Sequence, residues 1–150
     1  MALRKIRTDN DPILRKISKP VNEITKNVKT LAGDMLDTMY EAEGIGLAAP
    51  QVGLLKRLIV IDVGDGPIVM INPEIIQQDG EQVNQEGCLS LPGKTGEVVR
   101  PFFVKAQALN LDEEIFTIEG EGLLARAICH EIDHLNGILF TDLVKNIIKE

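Results

Sequence analysis

Two apolar patterns divide the chain. Across residues 25–43, Val28, Leu31, Ala32, Met35 and Met39 recur at intervals of three and four. That is the period of a helix with one buried stripe, and Asn22 or Thr25 can cap its start. Gly44 stops it. Leu124, Ala127, Ile128, Ile132 and Leu135 repeat the spacing and predict a second helix over Leu123–Leu135, ended by Gly137. Between the helices, residues 54–61 and 67–73 read as strands around a Gly64-Asp65-Gly66 turn, the second strand ending at Pro73. Residues 75–79, 96–100, 102–109 and 115–118 read as further short strands, the last returning from a hairpin loop at residues 110–114. Pro12 opens a short helix through Ile17, which Pro20 closes. Residues 45–53 form an uncharged, apolar loop against which something should pack or bind. The tail, residues 139–148, is apolar enough to dock on the body. The order predicts one α+β domain over residues 1–150, with mostly antiparallel strands packed around the C-terminal helix and a second helix near the N-terminus.

Composition narrows the function. With 44% apolar and 26% charged residues the chain reads as an ordinary globular domain, and no apolar run is long enough to cross a bilayer. The basic start, Arg4, Lys5 and Arg7, is followed by no long apolar segment, so a cytoplasmic location is expected. A formal charge of −7, with no basic patch interleaved with aromatics, argues against DNA or RNA as a partner. Cys88 and Cys129 are expected as free thiols or ligands.

Both histidines fall in His130-Glu131-Ile132-Asp133-His134. Two histidines placed at random along such a chain would lie four apart in about one arrangement in 75. On a helix that spacing stacks both imidazoles on one face, where they can converge on one ion. Glu131 is then the general base that takes a proton from the attacking water. Burying His130, Glu131, Asp133 and His134 in one run is costly unless a cation compensates them. Asp133 cannot share the face of His134 and is expected at the surface or supporting a ligand, while Cys129 packs. Two imidazoles leave a zinc or ferrous site at least one ligand short. An Asp, a Glu, or Cys88 in Gln85-Glu86-Gly87-Cys88-Leu89-Ser90 can supply it.

The chain resembles the bacterial peptide deformylases in three segments: Gly44-Ile45-Gly46-Leu47-Ala48-Ala49-Pro50-Gln51, Glu86-Gly87-Cys88-Leu89-Ser90, and His130-Glu131-Ile132-Asp133-His134. Asn72-Pro73, Arg100 and Leu135-Asn136-Gly137 also fit, so the resemblance spans residues 3–145. It implies that Cys88, His130 and His134 hold one divalent metal, usually Fe2+ in the cell with Zn2+ or Ni2+ as replacements. Glu131 would act as base and then as proton donor to the leaving amine. Gln51 and the Leu89 N–H would face the oxyanion. The implied substrate is the N-formylmethionyl end of a new polypeptide, released as formate and a free amino terminus. A hole lined by Ile45, Ala127 and Ile128 would take the methionine, and Gly44 and Gly46 would admit an extended peptide.

Cys129 stands where members often carry glutamine, and the short Gly93–Glu97 connection is like that of the family's compact members. Some relatives carry a basic C-terminal helix that docks on the ribosome; here Lys145 and Lys149 are the only counterpart, which limits the expectation to transient proximity. The competing readings are a metalloprotease or amidase of other specificity, which would cut internal bonds, and a non-catalytic metal-binding protein, which would leave Glu131 idle.

Overall fold

The computed structural model describes residues 2–144 and the backbone of residues 147–149. Helix α1 (Lys26–Glu41) begins where Thr25 Oγ1 accepts the Val28 N–H at 3.3 Å, and it buries the stripe from Val28 to Met39. Helix α2 spans Leu123–Leu135 as the periodicity requires. Gly137, at φ 73°, lets the chain leave α2 so close to the Arg15 carbonyl that a Cβ would lie 2.5 Å from its oxygen.

A five-stranded antiparallel sheet lies between the helices. Its strands are β1 (Gly46–Ala48), β2 (Leu58–Ile61), β3 (Ile68–Asp79), β6 (Phe103–Leu109) and β7 (Ile115–Glu121), in the order β1-β2-β3-β6-β7. The run Leu58-Ile59-Val60-Ile61 is buried on both faces. Leu58 and Val60 join the α1 cluster, whereas Ile59 and Ile61 join the α2 cluster, so alternation along one strand serves two cores. A second sheet, in the order β4-β5-β8, contains β4 (Gln82–Cys88), β5 (Leu91–Arg100) and β8 (Ile147–Lys149). A third cluster joins Leu14, Leu91, Val98, Leu139 and Phe140, so the first part of the tail docks as expected. Lys145 lies outside the described residues, and of Lys149 only the backbone is described.

Four elements depart from expectation. The helix after Pro12 is a single 3-10 turn, Pro12–Arg15. The apolar stretch after Gly44 forms β1 and a buried 3-10 turn, Ala49–Val52, instead of a loop. β3 does not end at Pro73. It continues to Asp79 through register shifts, with Asn72 at φ 53°, because a bulge accommodates a residue that cannot donate to the ladder. β4 has no apolar alternation and is held by its pairing with β5.

Candidate active site

The site forms where α2 passes between β1 and the end of β4. A register shift between Gly87 and Cys88 turns the β4 ladder out of step and aims Cys88 at the helix. Cys88 Sγ lies 3.2 Å from His134 Nε2. One donor atom each from Cys88, His130 and His134 falls within 4.8 Å of the others. The imidazoles cross edge-on, with ring centroids 5.1 Å apart. A half-buried cysteine and two buried imidazoles, converging, fit a borderline-soft divalent cation.

The far side of His130 is fixed. Its Nδ1–H donates to Glu86 Oε1 at 2.8 Å, which leaves Nε2 for the ion. The Arg100 guanidinium grips both Glu86 oxygens at 2.9 Å and donates to Asp133 Oδ2 at 2.6 Å. Asp133 thus supports the ligand sphere from outside, as its helical phase requires. Burial pushes the Glu86 carboxyl up, but the Arg100 and His130 hydrogen bonds outweigh it and hold the group at about 2. Burial also opposes the charge on His130, yet Glu131, Cys88 and Glu86 lift it to about 10. Burial, with His130 and Arg100 nearby, depresses His134 to about 3. An ion held by His130 would have to displace a proton there.

Glu131 points into the same space. Its Oε1 is buried without a hydrogen-bond partner, and burial raises its carboxyl to about 7. Gly46 makes room for it: a Cβ there would meet Glu131 Oε2 at 2.5 Å. Gln51 is nearly inaccessible. Its Oε1 accepts the Ala48 N–H at 2.9 Å, while Nε2 donates to Ser90 Oγ at 3.0 Å and faces Cys88 Sγ at 3.6 Å. A Cβ at Gly44 would meet Leu89 Cδ1 at 2.7 Å, so a side chain at either glycine would displace Leu89 or Glu131 from its place in the site.

A cavity of about 410 Å³ opens over these groups, between the β1 and β4 sides of the site. Gly44, Ile45, Gly46, Gln51, Cys88, Leu89, Ala127, His130 and Glu131 all line it. His134 lies beneath, against Cys88. Ile128 requires correction. It is fully buried in the core between α2 and the sheet, because one residue along a helix turns about 100° away from Ala127. Arg126 lines the cavity in its place and donates to the Gln85 carbonyl at 3.1 Å. The roles of Glu86, Arg100 and Ser90 were not foreseen. The signal for Glu86 is that a metal-binding imidazole needs a partner for its other nitrogen, but the partner lies 44 residues away.

The family model for polypeptide deformylase matches residues 3–150. A peptide deformylase of Alkaliphilus metalliredigens is 62% identical over the full length of both chains. One of Agathobacter rectalis is 59% identical over all of this chain and 95% of its own. Among solved structures, a peptide deformylase from Thermotoga maritima superposes with a TM-score of 0.94 at 44% identity, covering 97% of this chain and all of that one. A peptide deformylase from Synechococcus elongatus in complex with actinonin gives 0.91 at 45% identity, over 94% of this chain and 78% of that one.

Proposed function

The chain belongs to the polypeptide deformylase family, and on that premise we propose how its residues divide the work. The reaction is the metal-dependent hydrolysis of the N-formyl group from nascent polypeptides. Residues 1–150 act as one catalytic domain. Cys88, His130 and His134 hold the ion, ferrous iron in the cell with zinc or nickel as replacements, since a thiolate and two imidazoles suit all three. When bound, the ion polarises the formyl oxygen and makes water acidic enough to be deprotonated near neutral pH.

Glu131 accepts the proton from the attacking water and returns it to the leaving amine. Burial, by raising its carboxyl above the ordinary carboxylate range, favours a group that both takes and returns a proton. Gln51 Nε2 and the Leu89 N–H donate to the oxygen as its negative charge develops. The extended peptide runs along Gly44, Ile45 and Gly46, with its methionine side chain in the cavity beside Ala127. The observation that carries the reading is the partnerless Glu131 carboxylate, set between Gly46 and the three ligand residues. We place the enzyme in the cytoplasm, transiently near the ribosome from which its substrate emerges. Among the described residues no helix is long and apolar enough to cross a membrane.

The test is formate release from formyl-Met-Ala-Ser by protein loaded anaerobically with ferrous iron, beside an acetylated control and Glu131→Ala. Hydrolysis of the formyl peptide alone, lost in a variant that keeps its metal, supports every assignment to Glu131. Cleavage of internal bonds, or no formate from folded, loaded protein, sinks the reading.

A further inference from the structure

Residues 2–9 form an arm without regular secondary structure. Its beginning is tied to α1: the Ala2 N–H donates to Asp34 Oδ1 at 3.1 Å, the Arg4 N–H to Thr38 Oγ1 at 2.9 Å, and the Arg4 guanidinium pairs with Asp34 at 2.9 Å. Two residues of its far end then reach the segments that carry the oxyanion donors. The Arg7 N–H donates to the Gln51 carbonyl at 2.7 Å, and the Asp9 N–H donates to the Ser90 carbonyl at 2.7 Å. Gln51 Nε2 in turn donates to Ser90 Oγ at 3.0 Å. These bonds close a ring through Arg7, Gln51, Ser90 and Asp9.

The ring matters because its two halves belong to different sheets. Gln51 sits in the 3-10 turn that follows β1, whereas Leu89 and Ser90 form the turn between β4 and β5. Two donors on separate sheets converge on one oxygen only if the spacing of their turns is fixed, and a misplacement of about 1 Å can cost on the order of 100-fold in rate. The arm has its own fixings. The Arg7 guanidinium lies over Gly53, where a Cβ would come within 3.0 Å of Nη2, and it pairs with Asp11 at 3.1 Å. Asp9 adopts φ 54°, a left-handed conformation that Asp and Gly tolerate and a β-branched residue does not. Neither Arg7 nor Asp9 lines the cavity.

We propose that the Arg7–Asp9 backbone is a positioning element for the hydrolysis, holding Gln51 and the Leu89-Ser90 turn in register so that both donors meet the developing oxyanion. This inference rests on the reading of Gln51 and Leu89 given above. It is tested with the metal-loaded full chain carrying Arg7→Pro, which deletes the donor to Gln51, and independently with Asp9→Val beside Asp9→Gly. Arg7→Pro and Asp9→Val should lower kcat about tenfold with KM and metal affinity within about twofold, because donors met only in the transition state are displaced. Asp9→Gly, which keeps the backbone, should retain the parent rate. The Gln51 side-chain amide resonances should shift in Arg7→Pro and stay in place in Asp9→Gly.

Each damaging variant is then combined with Gln51→Ala. Losses smaller in the double variant than the product of the two single ones support action through Gln51. Strictly multiplicative losses, an undiminished kcat in folded Arg7→Pro and Asp9→Val, or an Asp9→Gly protein as slow as Asp9→Val overturn the proposal. A Gln51→Ala enzyme that turns over like the parent removes the oxyanion reading itself, and the inference with it.

Discussion

Helices α1 and α2 flank the same sheet with 16 and 13 residues, yet they bury opposite kinds of chemistry. α1 buries Val28, Leu31, Ala32, Met35 and Met39, and its one buried carboxylate, Asp34, is paired with Arg4. α2 buries an apolar face as well, Ala125, Ile128, Ile132 and Leu135, but its other face holds His130, Glu131 and His134. On α1 the apolar stripe lowers the free energy of the fold, and only Asp37 Oδ2 is buried there without a hydrogen-bond partner among the described residues. On α2 three buried groups, His130, Glu131 and His134, oppose folding unless an ion or reactants compensate them. Stability and chemistry have thus been placed on separate helices.

Glu131→Ala probes the difference most strongly. Formate release should fall by roughly 10²–10⁴-fold, the worth of a general base, while the melting temperature of metal-free protein holds or rises, since a partnerless buried carboxylate is removed. A clear drop in melting temperature would erase the contrast between the helices. Met35→Ala on α1 should do the reverse, costing about 2–5 kcal/mol in denaturant unfolding with kcat per folded molecule unchanged. Glu86→Gln tests whether the polar side depends on its supports. Loosening the imidazole of His130 should weaken metal affinity about 10–100-fold in a chelator competition, and unchanged affinity would leave Glu86 with a packing role only.

The smallest effect is expected at Asp34, whose carboxyl the Ala2 amide, and then Arg4, hold below its ordinary 3.8. Its contribution is present above that value and disappears as pH falls through the lowered folded value. Parent and Asp34→Asn should differ by about 1 kcal/mol near neutral pH and converge in acid. A gap that persists in acid would mean that the ion pair is not its source.

The helices were legible because each carries a complete period of its own: α2 occupies Leu123–Leu135 as read, and Thr25 caps α1. The candidate ligands are legible for the same local reason in His130 and His134, while Cys88 needs the family resemblance. What escaped was set by distant partners. Nothing in Gln82-Val83-Asn84-Gln85 alternates, and β4 exists because β5 pairs with it. Pro73 looked like a strand end because the bulge that admits it depends on register with β6. Ile128 reads as a pocket residue beside Ala127, but the 100° turn per residue carries it into the core while Ala127 faces the cavity. The joining of Glu86, Arg100 and Asp133 brings together three points in the chain that no local pattern links.

The bare Cα of Gly46 has a genetic consequence. Any single-base change of a glycine codon that alters the amino acid adds at least a Cβ, and here that carbon lands on the Glu131 carboxylate. The intruded atoms are the end of a flexible side chain, so the protein can still fold by letting Glu131 swing away from its place beside His130. On the role proposed for Glu131, every one-step change at codon 46 should therefore cost activity before it costs folding.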